Sequence, residues 1–180
     1  MDPIHFETKD GRVACVRTVE PADAAAMVAL MLTTSAETRF LGYEPGEFPY
    51  TPETETEFIQ KALADPSHIF LVAEVAGQLA GELQIKAMNA RRRFTHRAGL
   101  GMVIYQAYWG QGIGTVLMQA GLSEAKAMGV EQVELEVVTS NRRGLALYQR
   151  MGFKVFGTHL RAIKYADGSY ADEYLMQVQF

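Results

Sequence analysis

Cysteine is almost missing from this sequence of 180 residues. Cys15 stands alone, so one chain builds neither a disulfide framework nor a thiolate zinc site, and a reducing compartment suits it. Long apolar runs are missing too: no stretch approaches the roughly 18 residues that a membrane span needs. Residues 1–12 carry acids and lack the apolar run of a signal peptide. Nor is there an excess of positive charge. Seventeen Lys and Arg against 21 Asp and Glu leave a net charge of −4, which argues against the phosphate neutralisation that nonspecific nucleic-acid binding requires. The expectation is a cytoplasmic protein with no nucleic-acid, membrane or metal partner.

What is present is an ordinary globular composition, 48% hydrophobic and 21% charged. A chain of this length buries about 70% of the surface it exposes when unfolded. No repeat, low-complexity tract or Pro/Ser-rich linker divides residues 1–180, so a single domain is expected. Apolar alternation and turn residues predict seven strands, over 13–19, 69–75, 79–88, 98–105, 133–138, 153–164 and 170–178. Helical spacing and caps predict four helices, opening near Pro21 and ending near Thr33, then over 52–64, 112–128 and 141–151. The fold class is α+β. The stretch 42–52, with Gly42, Pro45, Gly46, Pro49 and Pro52, is a long irregular loop of the kind that walls a binding site.

Two segments carry chemistry. Tyr108-Trp109-Gly110-Gln111-Gly112-Ile113-Gly114-Thr115 joins a strand end to a helix start through three alternate glycines. Glycine lets backbone approach a ligand closely, and the free N–H groups of a helix N-terminus attract phosphate oxygens. Alone, this segment reads equally well as a tight strand-to-helix turn. The second segment begins 27 residues after Gly114 and follows the strand at 133–138: Asn141-Arg142-Arg143-Gly144-Leu145-Ala146-Leu147-Tyr148-Gln149-Arg150-Met151-Gly152-Phe153. Asn141 and Tyr148 are seven residues apart, two helical turns down one face.

Together these segments resemble the GNAT superfamily of N-acetyltransferases, whose Q/R-x-x-G-x-G/A loop binds the acetyl-CoA pyrophosphate and whose N-x-x-A-x-x-x-Y-x-x-x-G-F element completes the cofactor site. Trp109 stands where the family commonly has Gln or Arg, and Gly144 where Ala is common. Tryptophan at this place resembles the branch that includes the ribosomal-protein N-terminal acetyltransferases. The resemblance implies a mixed, mostly antiparallel sheet of about seven strands flanked by about four helices. It implies acetyl-CoA as acyl donor and a primary amine as acceptor, on a polyamine, an amino acid or a peptide or protein N-terminus. Met102, Val103 and Ile104 would hold the pantetheine arm and thioester carbonyl. Gly110, Gln111, Gly112, Ile113, Gly114 and Thr115 would hold the pyrophosphate, and Asn141 a cofactor amide. Tyr148 would be the general acid and Glu136, five residues before Asn141, the general base. Glu82, His96 and a water relay compete for that last role.

The stretch 37–57 interleaves Glu37, Glu44, Glu47, Glu53, Glu55 and Glu57 with Phe40, Tyr43, Phe48 and Tyr50, which suits a cationic amine. The same glutamates read equally as a solvated face and helix N-terminal charges. The arginines from Arg91 to Arg97 read as an exposed basic loop. A non-catalytic acyl-CoA-binding module would keep the glycine loop and Asn141 but not need Tyr148. A homodimer through the last strand stays open alongside a monomer.

Overall fold

Eight strands and four α-helices make up the protein, whose computed structural model describes residues 1–89 and 91–180. In chain order they are β1 (Ile4–Glu7), β2 (Val13–Thr18), α1 (Ala24–Glu37), α2 (Pro52–Ala64), β3 (His68–Val75), β4 (Gln78–Ala87), β5 (Arg97–Ile104), α3 (Ile113–Ala127), β6 (Gln132–Val138), α4 (Arg142–Arg150), β7 (Lys154–Lys164) and β8 (Tyr170–Gln179). The strands form one open sheet in the order β1-β2-β3-β4-β5-β6-β8-β7, and every pair is antiparallel except β5 with β6. The seven strands and four helices expected from the sequence are all present. The eighth, β1, is an edge strand whose alternation, Ile4 and Phe6 against His5 and Glu7, lasts four residues, the shortest run that a period-two pattern can mark, and only Phe6 is partly covered.

Local chemistry sets the turns. Between β3 and β4, Ala76 and Gly77 both take positive φ, 50° and 77°, as a two-residue hairpin turn of the primed type requires. Thr51 caps α2 by accepting the Thr54 N–H, and Pro52 occupies the first turn, where its missing N–H costs nothing. Asn141 caps α4, its Oδ1 accepting the Gly144 N–H at 2.9 Å.

The sheet has a core on each face. One side packs α3, through Leu117 and Met118, and α4, through Leu147, on Leu83, Ile85 and Met176; the other packs α1 and α2, through Met27, Leu30 and Ile59, on Phe70 and Val72. Each fully buried side chain of this size contributes about 1.5–3 kcal/mol. β8 lies inside the sheet between β6 and β7, so β7 and not the last strand forms the free edge at this end. Among the described residues no helix is long and apolar enough to cross a membrane.

Gly81 lets β4 lie close against β5: a Cβ there would stand 2.6 Å from the Val103 carbonyl oxygen and 2.8 Å from the Ile104 side chain. Backbone cannot yield as a side-chain tip can. Gly81→Ala is therefore expected to lower unfolding free energy by about 1–3 kcal/mol in urea titrations followed by circular dichroism. An unchanged midpoint would contradict this packing.

Candidate active site

The parallel pair β5 and β6 stays together for three residues only: Arg97 with Gln132, Ala98 with Val133, and Gly99 with Glu134. Beyond Gly99 the strands diverge. A cavity of about 920 Å³ opens between residues 100–104 of β5 and residues 136–138 of β6, and it extends over the glycine loop and along α4. The edge of β5 facing it offers backbone N–H and C=O groups to a ligand, as an unpaired strand edge does.

Three elements converge at one end. Gly112, at φ 93°, starts α3 and turns the first N–H groups of that helix toward the cavity. Gly114 lets α3 come close to both β5 and α4, since a Cβ there would lie 3.0 Å from Leu147 and 3.3 Å from Ile104. The Trp109 indole Nε1 donates to the Ile104 carbonyl at 2.9 Å, which ties the glycine loop back to the end of β5. Arg143 reaches across from α4, its guanidinium 5.4 Å from the Trp109 ring centroid and 3.3 Å from where a Cβ of Gly110 would stand. Lys9, Arg142 and Arg150 line the same cavity. The Trp109 departure from Gln or Arg thus coincides with a cation delivered from α4, which sequence spacing gave no means to foresee.

Of the residues expected at the cofactor, Met102, Val103, Ile104, Gly110, Gly112, Ile113, Gly114, Thr115 and Asn141 all line this cavity. Gln111 does not. Its Oε1 accepts the Asp10 N–H at 3.1 Å and its carbonyl accepts the Lys9 N–H at 3.3 Å, so it braces the loop against the β1–β2 turn. The Gly144 departure also has a reason: a Cβ there would stand 2.9 Å from the Asn141 amide nitrogen, so glycine gives the capping side chain room.

Tyr148 is buried on α4 with its ring 6.0 Å from that of Phe153, and it lines the cavity. Burial pushes its phenol up to about 12, which keeps the hydroxyl protonated at neutral pH. The lining acids are Glu82 on β4, Glu136 on β6 and Glu173 on β8. Glu136 is exposed; Glu173, partly buried, has its carboxyl raised by burial and then by the nearby Glu136. Glu82 is buried, and desolvation carries its carboxyl to about 7, with Glu55 adding and a hydrogen bond from Gln84 opposing. His96 stands before β5, where β5 and β6 are still paired, and does not line the cavity.

The glutamates of residues 37–57 do not line this cavity. Glu37 accepts the Gln106 N–H, Glu44 the Ala166 N–H, and Glu47 the Glu44 N–H, each at 2.9 Å. These acids hold the loop in place. The loop's contribution is Thr38, Phe40, Leu41, Gly42 and Tyr43, while Phe48 and Tyr50 continue an aromatic ladder to Phe58. A second cavity of about 760 Å³ shares these loop residues and Trp109. Of the basic stretch, Arg97 pairs with Glu134 through bonds of 2.5 and 2.8 Å.

Glu82 links the site to stability. Its carboxyl rises on folding from 4.5 to about 7, so the folded state binds that proton more tightly than the unfolded chain. The fold therefore loses stability as pH rises through this window, by about 3 kcal/mol. Urea titrations at pH 4.5 and pH 8 are expected to show Glu82→Gln gaining on the parent protein as pH rises. A pH-independent difference between the two would contradict the burial.

Comparison with known proteins gives the family. The family model described as Acetyltransferase (GNAT) family matches residues 33–153. The chain is 30% identical over 129 residues to L-amino acid N-acetyltransferase AaaT of Escherichia coli (strain K12), spanning 69% of this chain and 77% of that protein. It is 33% identical over 132 residues to N-alpha-acetyltransferase RimI of Mycobacterium tuberculosis, spanning 73% and 77%. The crystal structure of a GNAT-family acetyltransferase from Streptococcus pneumoniae superposes with a TM-score of 0.87 at 32% identity, over 93% of this chain and 99% of that one. The protein belongs to the GNAT family of acetyltransferases and is an acyltransferase.

Proposed function

We propose that this chain, as one domain, transfers the acetyl group of acetyl-CoA to the α-amine of an amino acid or of a peptide N-terminus. The observation that carries the reading is how charge is distributed around one cavity. Arg143, over the Trp109 ring, and Lys9, bonded to Gln111, stand at the glycine loop with the α3 N-terminus, and Arg142 and Arg150 line the cavity from α4; Glu82, Glu136 and Glu173 line it from β4, β6 and β8. The first set fits a polyphosphate and the second an ammonium group. The two relatives are named for amino-acid and Nα acceptors, which supports an α-amine over a polyamine.

Acetyl-CoA supplies, when bound, an acetyl thioester open to attack by a neutral amine. The N–H groups of α3's first turn and the Arg143 guanidinium hold the phosphates, and the free edge of β5 holds the pantetheine amides. Val103 turns its N–H to β4, so the backbone N–H of Ile104, on the edge that Trp109 meets, donates to the carbonyl oxygen as negative charge builds there, which favours the transition state over the ground state. Glu82 accepts the ammonium proton. Its carboxyl titrates near the operating pH, where a general base works best. Glu136, the base first expected from the sequence, is exposed, and with Glu173 it attracts the cationic amine to the site. Tyr148, protonated throughout, gives its proton to the departing sulfur.

Release of free thiol from acetyl-CoA with a panel of amines tests the reading. Turnover is expected on amino acids or peptide N-termini. Glu82→Gln is expected to lower kcat/KM about 10²-fold or more and to remove the acid limb near pH 7, and Tyr148→Phe to lower kcat by a similar factor. Turnover confined to anionic or neutral amines would overturn the acceptor assignment. Trp109 is the single tryptophan of the chain, so its fluorescence reports binding directly. Arg143→Ala is expected to weaken coenzyme A by about tenfold or more in that titration; an unchanged affinity would remove Arg143 from the donor site.

A further inference from the structure

On the face of β4 that meets α1 and α2, Glu82 and Gln84 stand two residues apart, side by side. The Gln84 Nε2 donates to Glu82 Oε2 at 3.0 Å, and its Oε1 lies 3.0 Å from His68 Nε2 on β3. These two contacts fix the amide's orientation. An ionised carboxylate only accepts, so it takes the NH₂ end of Gln84, and the carbonyl end then needs a donor from His68. His68 Nε2 carries a hydrogen both in the imidazolium and in the matching neutral tautomer, so the contact survives titration of the ring. The ring itself is clamped, stacked on Phe70 at 5.9 Å and 5° and edge-on to Phe58 at 6.1 Å. Neither His68 nor Gln84 lines the cavity that Glu82 faces.

We propose that Gln84, held in one orientation by His68, is a positioning residue that aims the Glu82 carboxylate at the acceptor amine and keeps it in its proton-accepting form. This rests on Glu82 acting as the base. Among the described residues Gln84 is the one side chain that donates to Glu82, and Oε1 takes no bond from the protein. The other ionisable groups around it do not assist: Glu55 of α2 has the same sign, Glu136 of β6 and Glu173 of β8 line the same cavity, and Tyr105 sits on β5. Lys86 and Asp65 act on His68. From α1 the cavity receives only Met31, Thr34 and no charge. Gln84 therefore opposes burial and Glu55, both of which favour the protonated acid.

Two readouts test this. Carbon-13 NMR titration of glutamate-labelled protein follows the Glu82 carboxyl itself, identified by its loss in Glu82→Gln, and the pH profile of kcat/KM follows catalysis. In Gln84→Leu the carboxyl midpoint and the acid limb are expected to move up together by about one unit, with kcat/KM at pH 7 reduced about fivefold and coenzyme A affinity unchanged. His68→Phe, which keeps the aromatic stack but not the donor, is expected to move both in the same direction by less; it also decides the matter if Gln84→Leu does not fold. An unmoved carboxyl midpoint in Gln84→Leu, with the limb still lost in Glu82→Gln, would overturn the role of Gln84 alone. Full activity in Glu82→Gln would overturn the base assignment, and the positioning role with it.

Discussion

Everything in this molecule depends on the separation of two parallel strands. β5 and β6 share three residue pairs and then part, and that opening puts an unpaired strand edge, a helix N-terminus and a second helix around one cavity. A sheet that stayed closed would satisfy β5 with β6 and leave nothing to bind a ligand's amides. The glycines around the opening serve the same geometry. Gly114 brings α3 close to β5 and α4, and Gly121 seats α3 on Leu83, where a Cβ would meet that side chain at 2.6 Å.

The cavity is polarised by residues that come from distant parts of the chain. Its cations come from the β1–β2 turn and from α4, its acids from β4, β6 and β8. A buried carboxyl raised to about 7 lowers stability at neutral pH, and such a group in a cavity is the kind of arrangement that catalysis retains. The aromatic loop after α1 walls the same cavity. It is held by the β7–β8 hairpin, where Arg39 pairs with Asp167 at 3.0 Å and covers the Tyr165 ring at 3.8 Å.

What the sequence made legible follows from how local each signal is. The glycine loop, the Asn141 cap and the Tyr148 spacing are set within one or two helical turns, so pattern alone located them and the strands and helices that carry them. Glu82 was only one candidate among several because its burial is made by its neighbours β3 and β5 and by α1, which packs on β4, and no window of sequence contains all three. Gln111 sat inside the right motif but turned to the β1–β2 turn, a contact across 101 residues. Glu37, Glu44 and Glu47 had a suitable composition, yet each accepts a backbone N–H of the loop or of a neighbouring segment, and the three line the second cavity rather than the first. Composition shows which charges are available; only packing shows which of them remain free for a substrate.

The most direct measurement of the account is a crystal structure with a bisubstrate analogue, an amino acid or short peptide whose α-nitrogen is joined to coenzyme A. The account requires the pyrophosphate on the first N–H groups of α3 beside Arg143, the pantetheine amides along residues 100–104, and the acceptor nitrogen within hydrogen-bond reach of Glu82. An analogue bound outside the β5–β6 opening, or with its acceptor nitrogen turned away from Glu82, would contradict it.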